Sequence, residues 1–285
     1  MSVISSRTQP SSSSMPEALY LVDSHCHLDR LRQGGMSDAD MDEVIKAARH
    51  SGVKRLLTLP TALEDMPALV ALARRYPEVV YALGVHPLAS GAEEPTVDQL
   101  KACVERYAPV AIGEIGLDYC TTEDGQYSVA PSVQRARFIR HLTVATDARL
   151  PVCIHTREAR DDTLALLKAH TDPDVGGVLH CFTGDLEMAR EAVGMGFLIS
   201  MSGIVTFNSA DSVRDLARAI PLDRLLIETD SPCLAPVPYR GKPNQPAYVR
   251  EVARCIAHVR GISEQEVVMQ TTANFHRLFR LVSTA

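Results

Sequence analysis

Eight short runs rich in Val, Ile and Leu recur along the chain, each followed by a stretch with helical spacing. They are Tyr20–Asp23, Val53–Leu59, Val79–Val85, Val110–Ile115, Val152–His155, Gly177–His180, Phe197–Met201 and Leu225–Glu228. Most are near-continuous rather than alternating, as suits strands buried on both faces. Between them the pattern predicts helices over Ser37–His50, Leu63–Tyr76, Val97–Tyr107, Ser132–Arg149, Glu158–His170, Leu186–Val193 and Asp211–Ala219. Ala247–Arg260 and Glu264–Leu281 close the chain as two more. Ser37 and Asp40 form a cap signal for the first of these helices. A strand followed by a helix, eight times over, predicts a parallel sheet. At 285 residues the chain fits an α/β fold of one domain, a closed (β/α)8 TIM barrel. An open doubly wound sheet is the alternative. It usually carries a Gly-rich phosphate loop after its first strand, where this chain has His25-Cys26-His27.

Composition narrows the setting. The net charge of −6 gives no overall basic field, so attraction to nucleic acid must come from a local patch or a metal. No apolar run reaches the length of a membrane span. The seven Cys are scattered, odd in number and without a Cys-x-x-Cys. They read as free thiols of a reducing compartment, which places the protein in the cytoplasm. Residues 1–17 are rich in Ser, Thr and Pro and lack the apolar centre of a signal peptide, so they read as a disordered leader before a domain spanning 18–285. A monomer is expected.

In a barrel of this kind the active site lies at the C-terminal ends of the strands. Strand one ends at His25 and His27, which share a face by alternation. Strand three ends at His86, strand four at Glu114 and Asp118, strand five at His155 and Arg157, strand six at His180, and strand eight at Glu228 and Asp230. Strand seven ends in Ser202 and Gly203, small residues expected to leave room. Any one buried His is more often a hydrogen-bonded core residue, and a carboxylate after a strand can cap the next helix. A rim that gathers so many imidazoles and carboxylates would be costly to bury without a shared cation. Four His and two carboxylates exceed the three protein ligands that one catalytic ion needs, which argues for two divalent ions. The donor types suit Zn or Mn, with weakly held Mg also compatible.

The segments Asp23-Ser24-His25-Cys26-His27-Leu28-Asp29, Gly84-Val85-His86-Pro87 and Gly113-Glu114-Ile115-Gly116-Leu117-Asp118-Tyr119 resemble the TatD-type metal-dependent deoxyribonucleases. So do His155-Thr156-Arg157-Glu158-Ala159, His180-Cys181-Phe182-Thr183-Gly184 and Glu228-Thr229-Asp230-Ser231-Pro232. That family sits in the wider amidohydrolase-like barrel group. The resemblance implies metal ligands at His25, His27, Glu114, His155, His180 and Asp230, with Glu114 bridging. It also implies hydrolysis of phosphodiesters in DNA by a metal-activated water, often from the 3′ end. The chemistry of the residues agrees: Asp230 can accept a proton from that water, and Glu228 reads as an acceptor lying deeper in the barrel.

Arg157, two residues after His155, points to the same side and is a candidate phosphate clamp. The loop Pro238–Asn244 combines Tyr239, Arg240 and Lys242, which suits a nucleic-acid backbone or a solvated loop; Arg240 and Asn244 are its candidate substrate contacts. His86 is either a substrate contact or a structural turn residue. Cys120–Gln126 reads as an altered rim loop. Cys26, Cys153 and Cys181 are expected to face away from the ligands. The expected partner is single-stranded DNA, processed 3′ to 5′. The alternative is an amide, a lactone or an RNA-linked ester on the same centre, since fold does not set substrate.

Overall fold

The computed structural model describes residues 19–33, 37–91 and 93–281; the 1–17 leader lies outside them. Eight strands form the frame: β1 (Leu21–Cys26), β2 (Val53–Thr58), β3 (Val79–Leu83), β4 (Ala111–Asp118), β5 (Val152–Arg157), β6 (Gly177–Leu179), β7 (Leu198–Met201) and β8 (Leu225–Ile227). Each pairs in parallel with the next in sequence order. The ring closes just beyond β8, where Cys26 bridges Ser231, Asp230 N donates to His25 O at 2.9 Å, and His27 N donates to Ser231 O at 2.8 Å. The architecture is the closed barrel, not the open sheet.

The helices are α1 (Leu28–Gln33), α2 (Asp38–His50), α3 (Met66–Arg75), α4 (Val97–Tyr107), α5 (Pro131–Ala148), α6 (Arg160–His170), α7 (Leu186–Gly194), α8 (Asp211–Ala219), α9 (Val249–Arg260) and α10 (Glu264–Phe279). Ser37 does cap α2: its hydroxyl accepts from Asp40 N and the Asp40 carboxylate accepts from Ser37 N. The sequence pattern missed the short α1. It also ran together a 3-10 turn, Leu63–Asp65, and α3. No helix among the described residues is long and apolar enough to cross a membrane.

The core has two layers. Outward strand residues pack under the helices. Inside the barrel each strand contributes one small or medium side chain, Val22, Leu57, Ala82, Ala111, Cys153, Val178, Leu198 and Leu226, and Phe275 and Phe279 of α10 close this layer. It is a packed plug, and it leaves the other end of the barrel for polar groups.

Two irregularities re-aim residues from that plug to the mouth. Asp23 pairs with Leu56 but Cys26 with Thr58, so β1 carries one extra residue there. Val22 faces inward, yet beyond the bulge Cys26 faces outward and its neighbours His25 and His27 face the mouth. Strand β4 repeats the device between Ile112 and Ile115. Ala111 faces inward, and after the bulge so do Glu114 and Asp118, while Ile115 and Leu117 join the outer layer. Bulges commonly re-aim side chains in this way.

Three expectations need correction. Gly203 leaves no room: a Cβ there would lie 2.1 Å from Leu234 O, because the loop after β8 lies across the end of β7. Cys153 does not face away from His155. It has the same strand parity and sits in the inner layer beneath it. Cys181 lines the mouth, because β6 ends at Leu179 and the backbone at Cys181 turns left-handed, φ 44°. Cys26 does face outward, its thiol 3.4 Å from Leu57 O, and all seven cysteines are free.

Two stability predictions follow from this packing. Gly116 has φ 138°, and a Cβ there would meet His155 O at 2.0 Å. Gly116→Ala should therefore lower unfolding free energy by about 2–4 kcal/mol, read from urea denaturation; an unchanged midpoint would contradict the tight β4–β5 approach. His141 on α5 is fully buried, and burial pushes its imidazole down to about 4. The folded state thus resists protonation while the unfolded chain takes a proton at about pH 6.5. Stability from this residue is complete above that value and is lost as pH falls toward the folded value. Between pH 7 and 5 the loss is about 2 kcal/mol, and His141→Leu should remove that part of the acid-side slope.

Candidate metal centre

The six residues singled out as ligands come together at the mouth, although five separate stretches of chain carry them. Their hydrogen-bond pattern says which atoms face inward. His27 Nδ1 lies 2.9 Å from Leu59 O, which can only accept, so Nδ1 carries the proton and Nε2 turns a lone pair to the centre. His180 Nδ1 faces Glu228 Oε1 at 3.3 Å, which fixes the same arrangement. His155 is reversed: Nε2 faces Asp118 Oδ2 at 3.0 Å and Nδ1 faces inward.

Those inward lone pairs meet carboxylate oxygens. Glu114 Oε1 lies 2.8 Å from His180 Nε2 and 3.0 Å from His155 Nδ1. Glu114 Oε2 lies 3.4 Å from His27 Nε2 and 3.6 Å from His25 Nε2. Asp230 Oδ1 is 3.5 Å from His27 Nε2 and 3.7 Å from His25 Nε2, and the two Nε2 atoms are 3.2 Å apart. With the rings neutral these are acceptors facing acceptors, which require protons or metal cations among them. The separations also suit metal ions: bonds of 2.0–2.1 Å imply donor–donor edges of about 3.4 Å for a tetrahedron and about 3.0 Å for an octahedron. The histidines divide into two groups by the Glu114 oxygen they face, His25 and His27 on Oε2 with Asp230 beside them, and His155 and His180 on Oε1; His25 also lies with Glu114 and His180, and His86 with Glu114 and His155, in sets that could hold an ion. Imidazole with carboxylate is the donor chemistry of Zn and Mn sites.

Electrostatics point the same way. Burial alone would push His27 down, but hydrogen bonds to Asp230 and Glu114 outweigh it and raise it to about 10. Burial also opposes charge on His180 and His155, yet Glu114 holds the first well above its usual value, and Asp118 and Glu114 raise the second. The Glu114 carboxyl, which burial would push up, is held well below its usual range by His86, His180 and His155. Asp230 is lowered likewise, with His27 outweighing burial. Burial lowers His25 and His86. The cluster as a whole favours positive charge at its centre.

His86 differs from the other four imidazoles. Its Nδ1 accepts from Leu88 N at 3.1 Å, so the proton sits on Nε2, 3.4 Å from Glu114 Oε1. It is a donor at the rim rather than a lone pair toward the centre. Its loop is clamped by Arg137 of α5, which donates to His86 O at 2.6 Å, Pro87 O at 3.0 Å and Ala89 O at 2.9 Å.

The centre opens into a cavity of about 440 Å³ whose wall includes Arg30, His86, Arg157, Cys181 and Leu234. A wider groove of about 800 Å³ continues from Arg157 past the starts of α6 and α7. Arg157 is exposed and its guanidinium makes no hydrogen bond or ion pair with the described residues. Arg240 and Asn244 do not line this cavity. Asn244 is wholly buried; its amide donates to Thr229 O at 2.8 Å and Cys233 O at 2.6 Å, and its oxygen accepts from Gln245 N. It fastens the loop after β8 and has no donor left for substrate. The Arg240 guanidinium lies 3.8 Å over the Phe207 ring and donates to Ala235 O. Two site residues gained no role from the sequence: Asp118, which shares the parity of Glu114 four residues on, and Arg30, which enters the wall one turn past β1. Glu228, read as the deeper acceptor, does back His180, and its Oε1 also takes the Cys181 N–H at 2.7 Å.

Comparison with known proteins matches this geometry to a family. The model of the TatD related DNases matches residues 22–280. An uncharacterized metal-dependent hydrolase of Escherichia coli K12, YcfH, is 45% identical over 263 residues, covering 92% of this chain and 97% of that one. The 3′-5′ ssDNA/RNA exonuclease TatD of Cronobacter sakazakii is 37% identical over 85% of this chain and 92% of its own. Among solved structures, the TatD homologue YJJV of Escherichia coli superposes with a TM-score of 0.81 at 30% identity, covering 92% of this chain and 98% of that one. The chain belongs to the TatD-related DNase family and is a metal-dependent hydrolase.

Proposed function

We propose that this hydrolase cleaves phosphodiester bonds in single-stranded DNA from the 3′ end, using two divalent ions held by His25, His27, Glu114, His155, His180 and Asp230. The observation that carries this reading is the exposed guanidinium of Arg157, which makes no hydrogen bond with the described residues and lies near Asp118 in the wall of the same cavity as the His, Glu and Asp cluster. A cation beside such a cluster suits an anionic ester better than a neutral one. The exonuclease name of the Cronobacter relative supports the substrate and the direction. The groove past Arg157 gives a strand longer than one nucleotide somewhere to lie.

Glu114 serves both groups through separate oxygens, so it sets the spacing between them. Bound there, the ions supply Lewis acidity and make water ionisable near neutral pH. Asp230 turns Oδ1 to His25 and His27, leaving Oδ2 to take the proton that the attacking water loses. His86 offers Nε2–H and Arg157 its guanidinium to the non-bridging oxygens of the phosphodiester. The native metal, Zn, Mn or Mg, is read by elemental analysis.

A second reading keeps the centre and changes the substrate. Arg240 and Asn244 are turned away from the cavity, which removes one cation and one amide that a DNA strand would use and leaves a non-DNA amide, lactone or RNA-linked ester as the alternative.

Four measurements test the proposal. Metal-free protein should take up two equivalents of Mn or Zn by calorimetry, and chelation should abolish turnover until metal is restored. The loaded enzyme should shorten 5′-labelled single-stranded DNA one nucleotide at a time; turnover of lactones with none of DNA would select the second reading. Asp230→Asn should lower kcat about 10²- to 10⁴-fold. Arg157→Ala should lower kcat/KM on DNA about 10- to 100-fold while leaving metal stoichiometry unchanged.

A further inference from the structure

Two of the inward-facing imidazoles are backed by buried carboxylates, and those carboxylates are fastened in different ways. Asp118 divides its oxygens: Oδ1 accepts the Cys120 N–H at 3.0 Å and Oδ2 lies 3.0 Å from His155 Nε2. Its backbone is clamped as well. Gln134 of α5 accepts from Asp118 N and donates to Asp118 O, both at 2.8 Å. Glu228 instead uses one oxygen twice. Its Oε1 accepts the Cys181 N–H at 2.7 Å and faces His180 Nδ1 at 3.3 Å, while Oε2 has no partner.

We propose that Asp118 is a positioning residue that fixes the tautomer of His155. With Oδ1 pinned by Cys120, Oδ2 can only accept from Nε2–H, so the Nδ1 lone pair is held toward Glu114, where an ion would sit. The inference rests on the two-ion reading above. Carboxylates placed behind metal-binding imidazoles orient the ring and raise its basicity.

The different fastening gives one chemical swap two outcomes. In Asp118→Asn the Cys120 N–H still requires an oxygen, so the amide nitrogen falls opposite Nε2. That NH2 can only donate, Nε2 must accept, and the proton moves to Nδ1. The lone pair is then lost to the centre. In Glu228→Gln the amide oxygen can remain at Oε1, accepting from both Cys181 N–H and His180 Nδ1–H, while the NH2 takes the place of an atom without a partner. The His180 tautomer is unchanged. Asp118→Ala removes the constraint without imposing the wrong tautomer, so it should be milder than Asp118→Asn.

The test combines nitrogen NMR with metal titration. Long-range ¹H–¹⁵N spectra of metal-free protein are recorded at alkaline pH, where the ring is neutral, with His155 assigned by loss of its signals in His155→Gln. Wild type and Glu228→Gln should show the proton on Nε2 of His155, and Asp118→Asn should show it on Nδ1. By calorimetry, wild type and Glu228→Gln should bind two equivalents of Zn. Asp118→Asn should bind one normally and the second at least about 10-fold more weakly, with Asp118→Ala between. A proton on Nδ1 in wild type, or wild-type affinity for both ions in Asp118→Asn, would overturn the proposal. If Asp118→Asn fails to fold, the wild-type spectrum alone decides. A wild-type protein that takes up fewer than two ions refutes the two-ion reading separately, and the tautomer result still stands or falls by itself.

Discussion

A buried carboxylate faced by lone pairs is the condition around which this molecule is arranged. Glu114 is 2% exposed and has imidazole nitrogens within 3.4 Å of each of its oxygens. His27, His155 and His180 have each placed their N–H on an acceptor at the far side, Leu59 O, Asp118 and Glu228. While those rings are neutral, none has an N–H left to donate inward. Burying such a group without a counter-charge costs several kcal/mol per ion even after relaxation. The outer acceptors therefore matter as much as the inward-facing atoms, because they hold the N–H of each neutral ring away from Glu114. Those acceptors come from β4 and from the segments just past β2 and β8, so only a closed ring of strands can bring them behind the same cluster.

The strand ends supply the donors, but two bulges decide which side chains arrive. In β1 and β4 one extra residue switches the inward face partway along the strand. Below the switch, Val22 and Ala111 help fill the apolar plug; above it, His25, His27 and Glu114 point into the mouth. One strand thus serves a packed core and a polar centre. The division also separates stability from chemistry: Phe275 and Phe279 close the plug end, and loops build the other.

This explains what could be read from the sequence. The eight runs, the α2 cap and the convergence of six His, Glu and Asp side chains at one mouth are legible because each is a local pattern or a residue type recurring at strand ends. The bulges are not, because a one-residue insertion leaves no trace in hydropathy. Alternation pairs His25 with His27 correctly although the irregularity, between Asp23 and Cys26, includes the position of His25. It was misapplied at Cys153, whose parity with His155 places it inward, and it failed at Cys181, beyond the last residue of β6. Asp118 was overlooked although its parity with Glu114 was available, since a carboxylate at a strand end reads equally as a helix cap.

The rim shows the same rule from the other side. Arg157 was read correctly as lying on the side of His155 because both belong to β5; two residues of strand place it about 6.6 Å further along and fix its direction. Arg240 and Asn244 were read from loop composition, which carries no direction. Asn amides in loops commonly bond nearby backbone, and Asn244 does so with Thr229 and Cys233, closing its own turn. Arg240 finds the Phe207 face before it reaches the cavity. A cation borne by a strand that also carries a ligand keeps its distance to the centre under any loop rearrangement, whereas one borne by a loop does not. The Arg157 charge is therefore tied to His155 through β5, and changes in the loops after β4 and β8 can reshape the cavity without moving the strand that carries both.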